Sequence, residues 1–404
     1  MKINSIIFIL SFILLFSCAT VETKVNPEIS SIEIDENKKF LTYLENDWQK
    51  TLDDNPLFAS YTGDKRNNNK ISSNDIDNFN KGKKSDEQSL KLLKSIDISK
   101  LSEENKLNYK LKEFDLLSSI GTKDFPTYYL RLNQRGGIQS FYETGNRLVY
   151  TSKQDYFDWL ERLKQFESNI YNAVEINKEG LLKGHTQPKL VTRGVIAQLK
   201  SIIESNIDSN PYMKVFLEAD DSFFTETEKA NLINEAKNLV QNKINPAYEK
   251  LFNFLQDDYL PNSRDSIGIK DIPNGSDYYK FLAKYYTTTD LTPEEIHNIG
   301  LREIKRIRLE MEQIIAQVNW DGDFNSFLNY LRTSPRFYYD NGEDLFNAYL
   351  IMSKTIDPLL PKIFKEFPRA PYGVKPIPAE TAPFTTTAYY NSPSPGRPGY
   401  FYAN

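Results

Sequence analysis

From Lys38 to Phe367 the apolar residues recur every three or four positions, and after Pro368 that period stops. This switch constrains the fold more than any other feature. A spacing of three and four places apolar side chains on one face of a helix, whereas alternation places them on one face of a strand. Phe40, Leu41, Leu44, Trp48 and Leu52 form one such stripe, closed by Asp53-Asp54-Asn55-Pro56. Tyr156, Leu160, Leu163, Phe166, Ile170 and Val174 form another. Leu101–Leu117 repeats the signature behind Ser102 as a cap. Thr225-Glu-Thr-Glu228 is a capping box that opens a long run, which Pro246 should kink or divide. Thr292-Pro-Glu-Glu295 joins a Thr cap to Pro at the first helical position. It starts a helix expected to bury Ile296, Ile304, Ile307, Met311, Ile314 and Val318. Arg302, Arg306 and Glu310 lie on another strip and read as a solvated face. Gly63–Lys84 reads as a surface loop, and Asp344–Phe367 as a last helix interrupted near Pro358 and Pro361.

Past Pro368, Pro, Gly, Thr and Tyr replace the Lys/Leu/Glu mixture. Residues 384–391, a Pro/Gly turn, and Tyr400-Phe-Tyr-Ala-Asn404 read as a hairpin whose second strand has only begun. An aromatic strand left at a sheet edge is normally covered or charged. The expectation is therefore that the chain is the front part of something longer. The fold class that follows is mainly α: a multi-helix scaffold with a small β element at its C-terminal end.

A start of Met1-Lys-Ile-Asn4, an apolar run from Ile6 to Phe16, and Leu15-Phe-Ser-Cys18 resemble a bacterial lipoprotein signal peptide. The run is too short to span a bilayer comfortably. Cys18, the sole cysteine, would be the acylated first residue of the mature chain and its link to a lipid membrane. Ala19 after it favours the outer membrane, by resemblance to enterobacterial sorting signals. The expected organisation is a signal peptide at 1–17, a polar tether at 18–37, a helical domain at 38–367, and an incomplete β element at 368–404. A net charge of -5 argues against a nucleic-acid partner, which requires a basic footprint.

No complete catalytic set is recognisable. The two histidines, His185 and His297, lack a His-Glu-x-x-His arrangement, and no cysteine pair, nucleophile elbow, Walker loop or dinucleotide fingerprint occurs. His185 reads as a loop histidine before a helix beginning near Lys189, and His297 as packed at a helix boundary. Asp220-Asp221 and Asp257-Asp258 read as surface acids.

The segment Tyr278–Gly300, with Tyr-Tyr-Thr-Thr-Thr-Asp-Leu-Thr-Pro-Glu-Glu-Ile-His at its centre, is followed by Leu301-Arg-Glu-Ile-Lys-Arg-Ile. Tyr372, Pro376–Pro378, Ala379-Glu-Thr-Ala-Pro383, Ala388-Tyr-Tyr-Asn391 and Gly396-Arg-Pro-Gly-Tyr400 come later. Together they resemble the bacterial domain of unknown function 885 family, in register from about Lys38 to Asn404. The resemblance implies the N-terminal part of a helical, zinc metallopeptidase-like hydrolase that acts on peptides. The family's His-Glu-x-x-Pro-Gly-His-His motif would follow the Arg-Pro-Gly-Tyr strand, so zinc is expected for a full-length member and no metal site within this chain. Carried over residue by residue, Tyr389, Tyr390, Tyr400 and Tyr402 would form a substrate-binding wall, and Arg397 would take a carboxylate as a fork. Ordinary sheet packing accounts for the tyrosines equally well. Two other classes stay open: a non-catalytic, lipid-anchored protein binding peptides or glycans, and a helical enzyme with scattered paired carboxylates.

Overall fold

A computed structural model describes residues 27–377, 382 and 385–404, with side chains from residue 36 onward. The signal segment, Cys18 and most of Ala379–Phe384 lie outside the described residues. α1 (Pro27–Asp54) opens inside the stretch read as an irregular tether. α2 (Ile76–Lys94) starts inside the predicted loop, because the Asp75 carboxylate accepts from the Asn78 amide and caps it. α3 (Glu103–Lys123) begins at the Ser102 cap as expected. These three helices enclose a small core around Phe40, Leu93, Ile96 and Leu101.

The main core lies between α4 (Lys153–Leu182), α5 (Lys189–Ile203), α6 (Glu226–Leu239) and α7 (Asn245–Phe254). Every member of the Tyr156–Val174 stripe is buried there. Thr225 and Glu228 cap α6 reciprocally, with amide contacts of 2.9 and 3.3 Å. The run does divide at Pro246: a π-helical turn over Val240–Ile244 absorbs the missing amide donor and still buries both Val240 and Ile244.

One face of α4 is polar, and it organises the irregular segment between Gly63 and Asp75. Asp155 holds Lys65 and Asn68. Arg162 donates to the carbonyls of Pro56, Asn67 and Lys70 and to the Ser60 hydroxyl. Gln165 and Asn169 bind Asn69 and Ser72. Spacings of three, four and seven keep these four side chains on one strip. The strip ties the two cores together.

Beyond the main core come α8 (Gly275–Thr287), α9 (Pro293–Gln317), α10 (Phe324–Thr333) and α11 (Gly342–Ile356). α9 begins at the Thr292–Glu295 capping box, with contacts of 2.8 and 3.2 Å. Its apolar stripe is not buried as expected: Ile304, Ile307, Ile314 and Val318 are exposed, and on this helix Ile315 alone is buried. The 302/306/310 strip is solvated, with Arg306 paired to Glu303 and Glu310. α11 gives way to a 3₁₀ turn at Asp357–Lys362, where Pro358 and Pro361 end the α-helical ladder. Among the described residues, no helix is long and apolar enough to cross a membrane.

The chain ends in a sheet of β1 (Tyr372–Pro376), β2 (Ala388–Asn391) and β3 (Gly399–Ala403), in the order β1-β3-β2. β2 and β3 form the expected antiparallel pair. β1 lies parallel to β3 on its other side, so the last strand is the central one and not an edge. The pairing joins strands far apart in sequence, which local alternation does not reveal.

Candidate functional site: a tyrosine face on the terminal sheet

Alternation along β3 sends Gly399, Phe401 and Ala403 to one face and Tyr400 and Tyr402 to the other. The first face rests on α11. Phe401 packs 5.8 Å from Tyr349, centroid to centroid, and the Tyr372 hydroxyl donates to Asp357 at 2.6 Å. Tyr390 is paired with Phe401, so it belongs to this face, with its hydroxyl lying over Gly399.

The second face gathers the other three predicted tyrosines. Tyr389 stacks on Tyr402 at 5.0 Å and 16°, and Tyr400 meets Tyr402 edge-on at 6.2 Å. Lys375 of β1 sets its ammonium 3.9 Å above the Tyr400 ring, a cation–π contact. Burial raises the Tyr389 pKa, and the neighbouring Tyr402 adds to the rise. The Tyr389 phenol is therefore neutral at physiological pH and able to donate a hydrogen bond. Lys375 was missed in sequence. The signal was the Gly373/Lys375 alternation, but only the parallel pairing of β1 places it beside the tyrosines.

Arg397 sits in the turn between β2 and β3. Its Nη2 donates to the Ser392 carbonyl at 2.8 Å and its Nη1 to Pro398 at 3.3 Å, while its buried Nε has no partner. The guanidinium thus holds its own turn, closed by reciprocal Ser394–Arg397 backbone bonds. That turn leans on the helical body. A Cβ on Gly63 would lie 2.9 Å from Pro395, and Gly63 has φ of +88°. Both facts require glycine there. The α4 polar strip fixes the Gly63 segment, and the segment seats the turn that aims the tyrosine face.

The histidines lie elsewhere in the fold. His185 is buried 5.4 Å from the Tyr129 ring, with Nδ1 unpartnered. Burial, and then the Lys183 charge, lower its pKa. It lines a shallow pocket with Phe125, Leu130, Ile272 and Tyr278. His297 is exposed on α9 rather than packed. Asp220 accepts from the Ser222 amide at 2.8 Å and Asp221 pairs with Lys229, both at the surface. Among the described residues, no group of three or more His, Cys, Asp or Glu side chains is arranged to hold a metal ion.

The fold is shared with a crystal structure of a candidate lipoprotein from Colwellia psychrerythraea. The two are 21% identical with a TM-score of 0.76, over 93% of this chain and 67% of that one. No curated protein matches the chain. Residues 56–404 match the family described as bacterial protein of unknown function, DUF885. The chain belongs to the DUF885 family.

Proposed function

We propose that this chain is the scaffold and substrate wall of a lipid-anchored hydrolase of the bacterial envelope, acting on peptides. The observation that carries the reading is the face built by Tyr389, Tyr400, Tyr402 and Lys375. Stacked rings that carry hydroxyls suit a peptide, whose amides need polar partners and whose side chains need apolar ones. β3 is paired on both sides, so an extended peptide adds at the free edge of β1 or β2. Arg397 spends two of its donors on its own turn, which leaves a terminal carboxylate to Lys375. The Leu15–Cys18 pattern supports the anchor, and Ala19 after it supports an outer-membrane position facing the periplasm. The hydrolytic residues and the zinc are what the family resemblance implies, through a His-Glu-x-x-Pro-Gly-His-His motif that does not occur in residues 1–404. A non-catalytic peptide-binding protein is the second reading.

Titration with a pool of random hexapeptides tests the wall. Tyr402→Ala and Tyr389→Ala should each weaken binding about tenfold, the equivalent of about 1.4 kcal/mol. Lys375→Met should weaken binding of free-carboxylate peptides and leave amidated ones unchanged. Unaltered affinity in all three folded variants would remove the tyrosine face from the account.

A further inference from the structure

The segment from Lys183 to Pro188 is pinned along its length, yet the imidazole it carries has a nitrogen with nothing to bind. The His185 amide donates to the Gly180 carbonyl at 2.8 Å, closing the end of α4. A Cβ on Gly180 would lie 3.0 Å from the His185 carbonyl and 3.1 Å from the Tyr129 side chain, so glycine lets the segment approach the helix. The Gln187 amide donates to the Tyr259 hydroxyl at 2.8 Å, and its side chain reaches the Leu130 carbonyl. Arg264 donates to the Thr186 carbonyl at 2.9 Å. Tyr259 closes a π-helical turn, Leu255–Tyr259, an irregularity that recurs at functional sites.

Within this frame His185 is 8% exposed, and its Nδ1 is buried without a partner. Leaving a buried polar atom unpaired is costly, so native structures keep few of them. The ring stands in the wall of the shallow pocket described above, whose other walls include Phe125, Pro126, Leu130, Ile272 and Tyr278. Phe125 and Tyr278 meet there at 4.8 Å. No charged side chain lines the pocket, and nearby Lys183 is engaged by Glu179 and the Tyr129 hydroxyl. Burial and then the Lys183 charge keep the imidazole neutral at pH 7, so each of its nitrogens either donates or accepts.

We propose that this pocket is a further binding site, for one small neutral aromatic ring that carries a hydroxyl. The hydroxyl pairs with His185 Nδ1, and the ring packs against Phe125 and Tyr278. Aromatic and prolyl walls suit a flat ring, and the absence of charge in the lining selects a neutral ligand over an ion. A hydroxyl serves Nδ1 in either tautomer, because it both donates and accepts. The site shares no residue with the tyrosine face and does not rest on the peptide reading. Its ligand chemistry is offered equally by a free phenol and by a tyrosine side chain in a peptide.

The sequence has two histidines, so labelling the histidine rings gives one signal for the pocket and one for exposed His297, an internal control. In the 404-residue chain, p-cresol should move the His185 signal saturably and leave His297 in place. Toluene, the same ring without the hydroxyl, should bind about tenfold more weakly. His185→Phe keeps a ring but no nitrogen, and should bring the two ligands to equal affinity by saturation-transfer measurement. Tyr278→Ala, at a half-buried position, should weaken both about tenfold, and it keeps the site testable if His185→Phe does not fold. N-acetyl-tyrosinamide binding as tightly as p-cresol would assign the site to a peptide side chain, and p-cresol binding alone would assign it to a free phenol. Equal affinity of p-cresol and toluene in the parent, the absence of a saturable shift, or parallel shifts of both histidines would overturn the proposal. No readout depends on hexapeptide binding, so this pocket and the tyrosine face fail separately.

Discussion

Arg162→Ala should lower the unfolding free energy by about 3 kcal/mol, read as a fall in the urea midpoint at unchanged slope. Arg162 is fully buried, and its guanidinium donates to three carbonyls and a hydroxyl at 2.6 to 3.4 Å. No carboxylate pairs with it, and burial pushes its pKa down to about 10. Its Nη1 is buried without a partner. The charge itself is therefore expensive to bury, and the net effect is smaller than the sum of its hydrogen bonds. The loss is still large because the acceptors cannot leave: the Lys70 carbonyl loses its donor, at about 1–3 kcal/mol where water does not reach it, while the Pro56 and Asn67 carbonyls keep the Ser60 hydroxyl and the Lys70 amide. Arg162→Met restores volume without donors and should recover less than half of the loss. A change under about 1 kcal/mol in Arg162→Ala would show that the segment from Gly63 to Asp75 is held by other contacts. Because that segment seats Pro395, Arg162→Ala should also weaken hexapeptide binding without touching the tyrosine face.

The second large effect depends on pH. The Asp155 side chain is 5% exposed, and it accepts from Lys65 at 2.6 and 2.7 Å and from the Thr151 and Ser152 amides at 2.8 and 3.0 Å. Burial alone would raise its pKa. The Lys65 ammonium and the amide donors outweigh that and hold it below the usual carboxylate range. A depressed folded-state pKa stabilises the fold above the unfolded value near 4, and that contribution is lost as pH falls through the folded value. Asp155→Asn should therefore destabilise by about 2 kcal/mol at pH 7, where both a helix cap and an ion pair are removed. The gap between variant and parent should close as pH drops below about 4. A gap that stays constant down to pH 2 would assign the effect to packing rather than to charge.

Both residues illustrate which parts of the fold were legible in the sequence. Ser102, Thr225 and Thr292 cap helices through neighbours three residues away, and the Tyr156–Val174 stripe needs only its own periodicity. Such local signals are complete within one segment. Asp155 and Arg162 interrupt that stripe as ordinary polar residues, and their partners lie about ninety residues upstream. β1 was hidden for the same reason, since Tyr372–Pro376 becomes a strand by pairing in parallel with β3. The site was half legible. Tyr389, Tyr400 and Tyr402 meet as an aromatic hairpin predicts, while register sends Tyr390 to the other face and nonlocal pairing brings in Lys375. The α9 stripe shows the converse: periodicity announces an apolar face, but it cannot say whether the covering element is within the same residues.

The central claim is that the face of Tyr389, Tyr400, Tyr402 and Lys375 holds a peptide. Titration of the 404-residue chain with the hexapeptide pool, beside the folded Tyr402→Ala variant, tests it. The parent should bind the peptides and the variant should bind them about tenfold more weakly. Equal affinity in the two would contradict the account.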